Sequence, residues 1–189
     1  FILRRVIDDV QTWQKAGLDI RAAINISARL ITSADFTARV ESILLEDAVP
    51  AECLIFEITE SATIGQFDLA CSALRRFRDL GVGISMDDYG TGQSTLSYLK
   101  RLPLTELKID RSFVQHAHRD RADALLVSST VELAHQLGLQ VVAEGIEEEA
   151  CLDFLREIGC DYAQGYFIAK PMSADAFFDT AKTKIPRAA

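Results

Sequence analysis

Seven residues of this 189-residue chain share one kind of setting: Asn25, Glu57, Asp87, Asp88, Lys108, Glu144 and Gln164 each close a short apolar run or lie within one. Carboxylate and amide oxygens suit hard cations such as Mg2+, Mn2+ or Ca2+, whereas zinc sites favour His and Cys. A lone acid in such a place carries little information, because a quarter of the chain is charged. Several converging ones are different, since buried charges without partners are costly and such clusters hold cations. Asp87 and Asp88 are the sharpest local signal. Neighbours on a regular strand point to opposite faces, so both serve one site only where the strand ends. There they can divide between two cations, as two-metal hydrolysis of a phosphodiester requires. Taken alone, the pair reads better as a cap of the Gly90-Thr91-Gly92 turn.

Lys108 lies between Leu107 and Ile109 and should point opposite to them, into the interior. It could be a Schiff-base nucleophile. Among carboxylates it stays protonated, and a charge clamp on a phosphoryl group is the better reading. Glu144 is a candidate general base for an attacking water, or one more metal ligand. No GxSxG elbow, Walker A loop or HExxH segment occurs, which removes the commonest serine, P-loop and zinc-protease chemistries. His116 and His118 form an HxH pair in a polar stretch and read as exposed non-ligands, and His135 as a packing or surface residue. Cys53, Cys71, Cys151 and Cys160 have no CxxC or zinc-ribbon spacing and read as buried free thiols in a reducing compartment.

The elements that must position these groups recur in one pattern. An amphipathic segment ends at a glycine, and a short apolar run with a polar residue follows. Gly17 precedes Ala22–Asn25, Gly81 precedes Val82–Asp87, Gly138 precedes Val141–Glu144, and Gly159 precedes Tyr162–Gln164. Glycine suits the left-handed residue that closes a helix. Cys53–Glu57 and Thr105–Ile109 add two strands that each follow a proline. Apolar stripes at 3-to-4 spacing mark helices around Val6, Val10 and Trp13, around Leu74 and Phe77, from Leu125 to Leu137, and from Leu152 to Ile158, with Ser173 capping a last one. Alternating strands and helices imply parallel pairing with right-handed crossovers. An open doubly wound sheet would advertise a glycine-rich first turn. Functional residues on every strand end favour instead a (β/α)8 TIM-type barrel. Only about six βα units are present, and the chain opens on a helix, so the barrel is expected to be incomplete.

The net charge of −8 argues against a DNA- or RNA-binding surface. An anionic substrate then requires cations to supply positive charge locally. No apolar run approaches the ~20 residues of a membrane span, so no membrane contact is expected.

The segments closely resemble the EAL family of cyclic-di-GMP phosphodiesterase domains. The matching motifs are Ile24-Asn25-Ile-Ser27, Phe56-Glu57-Ile-Thr-Glu60-Ser61, Asp87-Asp88-Tyr-Gly-Thr-Gly92, Leu107-Lys108-Ile-Asp110-Arg-Ser-Phe-Val114, Val142-Ala-Glu144-Gly-Ile-Glu147 and Gly159-Cys-Asp161-Tyr-Ala-Gln164-Gly-Tyr. The resemblance implies a barrel that hydrolyses cyclic-di-GMP to linear pGpG with Mg2+ or Mn2+. It implies that Asn25, Glu57 and Asp87 bind one metal and that Asp87 and Asp88 serve the second. Glu144 would act on the water, Lys108 would support the same centre, Gln164 would orient groups around it, and Glu60 would brace the loop after Asp88. Tyr89 and Gln93 depart from the family's usual Phe and Tyr, in a loop that shapes the metal site and a dimer contact.

The Glu-Ala-Leu triplet that names the family does not occur in the chain, nor does the strand that carries it. The expectation is that residues 1–189 form an EAL-type domain lacking its N-terminal strands, cut from a longer protein. That protein would be fused to upstream sensory or GGDEF-type domains, with this domain cytoplasmic. An open sheet edge invites self-association, through the helix from Asp123 to Leu137 or otherwise. The competing functions are an inactive cyclic-di-GMP receptor, which needs fewer of the carboxylates, and an aldolase-type barrel using Lys108.

Overall fold

The computed structural model describes residues 1–46, 51–59, 66–90 and 96–184. Strands and helices alternate along it. Helix α1 (Ile2–Lys15) leads to β1 (Ala22–Asn25), then α2 (Ala28–Ile31) and α3 (Ala34–Glu46). A 3-10 turn at Ala51–Cys53 opens β2 (Leu54–Thr59), which α4 (Phe67–Asp79) links to β3 (Gly83–Tyr89). Helix α5 (Leu96–Arg101) precedes β4 (Glu106–Ile109), and α6 (Arg111–Val114) and α7 (Arg121–Gln136) precede β5 (Gln140–Ala143). Helix α8 (Glu149–Glu157), β6 (Tyr162–Ala163) and α9 (Ala174–Lys184) complete the series. The expected helix stops hold: Gly17, Gly81, Gly138 and Gly159 all have positive φ. Ser173 Oγ accepts from the Ala176 amide at 3.3 Å at the start of α9. The short helices α2, α5 and α6 carry too little periodicity to be read from sequence.

All six strands pair in parallel, in the order β1-β2-β3-β4-β5-β6. Leu54, Phe56, Ile58, Ile84, Met86, Leu107 and Ile109 are buried, and the rings of Phe56 on β2 and Phe77 on α4 meet edge to face at 5.1 Å. One face of the sheet thus packs on the helices. The other carries the polar residues and curls on itself. Arg21, just before β1, donates to Gln140 Oε1 on β5 at 3.3 Å, and its guanidinium lies 5.0 Å from the ring of Tyr162 on β6. Trp13 of α1 meets Phe177 of α9 at 5.0 Å. Six strands of a TIM-type barrel therefore form a half-barrel whose first and last elements approach each other.

Candidate metal centre

The register explains why distant residues share one pocket. Asn25 pairs with Glu57, Glu57 with Ser85, Ser85 with Glu106, and Glu106 with Gln140. Rising two residues on every second strand connects Asn25, Asp87 and Glu144 on β1, β3 and the end of β5. The same rule connects Glu57, Lys108 and Gln164 on β2, β4 and the end of β6. Such alternate-strand layers fill a TIM barrel. Here the upper two are polar.

Lys108 is at their centre. Its side chain is 5 % exposed, and Nζ lies 2.6 Å from Glu144 Oε1, 2.9 Å from Glu57 Oε1 and 3.1 Å from Asp87 Oδ1. Burial by itself would lower the ammonium's pKa, but the hydrogen bonds and charges of Glu144 and Glu57 outweigh it and hold the pKa above the ordinary lysine value. A Schiff-base lysine needs the opposite shift, so the aldolase reading fails here. Burial raises the Glu144 carboxyl above its ordinary range despite Lys108 beside it. Burial raises Asp88 as well, helped by the charges of Asp87 and Asp110.

Oxygen atoms of Asp87, Asp88 and Glu144 lie within 4.8 Å of one another, close enough to hold one metal ion. The expectation that two neighbouring aspartates converge because the strand ends is corrected: β3 continues through both to Tyr89. Met86 pairs with Leu107 but Tyr89 with Ile109, so β3 carries one extra residue. Asp88 takes a φ of +57° in that bulge, and its amide donates to Asp87 Oδ1 at 3.1 Å. A bulge re-aims side chains beside functional sites, and Asp tolerates the left-handed region better than most residues.

Glu144 and Gln164 are placed by two interlocked loops. The Ile146 amide donates to Gln164 O at 3.1 Å, the Gln164 amide to Ala143 O at 2.8 Å, and the Phe167 amide to Ile146 O at 3.0 Å. Gly165 makes the interlock possible, since a Cβ there would meet Ile146 O at 2.1 Å. Asn25 and Gln164 share the site's face, but both are exposed. Glu60 lies outside the described residues, as does Gln93. Among the described residues, sequence reasoning passed over Asp110, whose charge reaches Asp88 and which caps α6 through Ser112 N at 2.9 Å. Its position two residues after Lys108 was the available signal. The two HxH histidines part company: exposed His116 meets Arg119 at 2.8 Å, while His118, only 12 % exposed, meets Glu148 at 3.3 Å. They form no ligand pair. The four cysteines are free, and all but Cys160 are buried.

Fold and site together define a parallel α/β half-barrel with a carboxylate centre at the carboxyl ends of its strands. The chain belongs to the EAL domain family, whose sequence pattern matches residues 1–171. It is 40% identical over 176 residues to the Pseudomonas aeruginosa protein named bifunctional diguanylate cyclase/cyclic di-GMP phosphodiesterase MucR, covering 93% of this chain and 26% of that one. The solved PaMucR phosphodiesterase in complex with c-di-GMP superposes with a TM-score of 0.83 at 40% identity, over 89% of this chain and 69% of that one. The EAL domain of Mycobacterium smegmatis DcpA superposes with a TM-score of 0.90 at 34% identity, over 98% of this chain and 84% of that one. The chain spans about a quarter of the length of the curated relatives it matches.

Proposed function

We propose that this chain is the catalytic part of a metal-dependent phosphodiesterase that hydrolyses cyclic-di-GMP to linear pGpG in bacterial second-messenger signalling. The observation that carries this reading is the buried Lys108 ammonium among Glu57, Asp87 and Glu144, with Asp88 beside them. Carboxylates so arranged already accept a cation, and their oxygens suit Mg2+ or Mn2+. Asn25, Glu57 and Asp87 would hold one ion, and Asp87 with Asp88 a second. Such ions, when bound, lower the pKa of a water and screen the charge of the phosphodiester.

Glu144 accepts the proton of the attacking water. Its raised pKa brings it nearer the working pH, as suits a general base. The water oxygen bonds to phosphorus as the P–O ester bond breaks, and the departing ester oxygen takes a proton from solvent, to which Glu144 returns its own. Lys108, held protonated, neutralises charge on the phosphoryl oxygens. Gln164 orients the groups around it, and Glu60 braces the loop after Asp88.

Residues 1–189 would be an EAL-type domain completed by upstream strands in a longer protein with sensory or GGDEF-type domains. We place it in the cytoplasm and expect it to pair as a homodimer; no described helix is long and apolar enough to cross a membrane. The test is release of linear dinucleotide by the full-length protein with Mg2+, against a Lys108→Ala control. Product above the control supports hydrolysis, whereas binding without product favours the receptor.

A further inference from the structure

One layer below the carboxylate centre lies a charged group that the mechanism does not use. Glu106, on β4 two residues before Lys108, is 5 % exposed. Among the described residues its carboxylate has no hydrogen bond or ion pair. Its registered neighbour on β3, Ser85, is fully buried, and the Ser85 hydroxyl also makes no hydrogen bond. Burial raises the Glu106 carboxyl. Ser85, Arg21 and Lys108 stand close enough to temper that rise, although the Ser85 hydroxyl misses hydrogen-bonding geometry. The orphaned Ser85 hydroxyl beside this charge calls for an explanation, because buried polar groups in native proteins are almost always satisfied.

Alternate residues of a strand share a face, so Glu106 and Lys108 both point into the half-barrel. The Lys108 ammonium has three donors, here aimed at Glu57, Asp87 and Glu144. If divalent cations take those oxygens, Lys108 loses its partners and faces like charge at close range. Glu106, two residues earlier on the same face of β4 and close enough to feel the Lys108 charge, and the Ser85 hydroxyl beside it are unengaged acceptors on its own side. We propose that Glu106, assisted by Ser85, is a positioning residue. It takes one Lys108 donor from below when divalent cations occupy the carboxylates, so that the ammonium keeps a counter-charge while its other donors face the phosphodiester. The inference rests on the metal centre proposed above.

The test is a double-mutant cycle read by calorimetric titration of the full-length protein with Mn2+ alone. Glu106→Gln is expected to weaken Mn2+ binding three- to tenfold where Lys108 is present and to leave it unchanged in a Lys108→Met background. Ser85→Ala should act in the same direction, about twofold, with the same dependence on Lys108, and it guards against misfolding of the Gln variant. Equal weakening in both backgrounds would mean that Glu106 acts through space and would overturn the proposal, as would no weakening by either substitution. Failure of the unsubstituted full-length protein to bind Mn2+ would instead remove the metal centre itself. That result is separable from the others.

Discussion

Lys108 Nζ and Glu144 Oε1, carried by β4 and by the loop after β5, stand 2.6 Å apart at the mouth of the half-barrel. The pair joins the proposed base to the proposed clamp, and burial makes each depend on the other. The hydrogen bond lifts the lysine's pKa and offsets part of the rise that burial imposes on the glutamate.

Removing the ammonium should therefore cost both stability and turnover. Lys108→Met leaves three carboxylates facing one another, and breaking such a buried arrangement costs about 3–5 kcal/mol. Thermal melts in EDTA should show this loss, and Mn2+ should recover most of it by replacing the missing positive charge. Turnover of the full-length protein should fall about 100- to 1000-fold. A variant that melts equally low with and without Mn2+ would argue against a cation site.

Glu106 gives a pH-dependent prediction whose sign follows from its raised pKa. A carboxyl raised in the folded state contributes stability that is fully present below its unfolded pKa and is lost as pH rises through the folded one. Glu106→Gln removes the ionising group. In EDTA it should thus gain on the unsubstituted protein between pH 5 and pH 8, by on the order of a few degrees in Tm. A gain that shrinks over that range would contradict the burial argument.

Asp88 combines a left-handed backbone with a ligand position. Asp88→Asn keeps a side chain tolerant of that conformation, so the urea midpoint should hardly move, while Mn2+ affinity drops at least tenfold, about 1.4 kcal/mol or more. Loss of folding without a specific loss of metal binding would make Asp88 merely structural.

Gly165→Ala should be severe. The added Cβ meets backbone atoms of Ile146 at 2.1 and 2.2 Å, neither of which is the movable end of a side chain. We expect more than about 3 kcal/mol of destabilisation by urea unfolding, beyond the usual range for single substitutions. Gly17→Ala, where nothing lies within 4 Å and only the positive φ is strained, should cost about 1 kcal/mol. Similar losses at the two positions would refute the interlock.

The four thiols should resist alkylation in the native protein. Burial pushes Cys160 up to about 11 and raises Cys53, Cys71 and Cys151 as well. Since the thiolate is the nucleophile, iodoacetamide at pH 7.5 should label them quickly only after denaturation, as mass spectrometry would show. Rapid labelling of Cys160 in the folded state would contradict its raised pKa.

The chain's own order of residues determined the parallel α/β class, the strand ends and the polar types they carry. These are local properties: a glycine that stops a helix, a period that changes from 3.6 to 2, an acid after an apolar run. It also marked Asp87 and Asp88 as a pair. What only the tertiary structure decided is how that pair converges, because a bulge depends on the register of β3 against β4, and no neighbour in sequence reports a partner strand. Glu106 was invisible for the same reason. Nothing beside it in the chain distinguishes an exposed acid from one sealed in the interior beneath Lys108; the curl of six strands does that, by removing water from one face and leaving the charge there to find a partner.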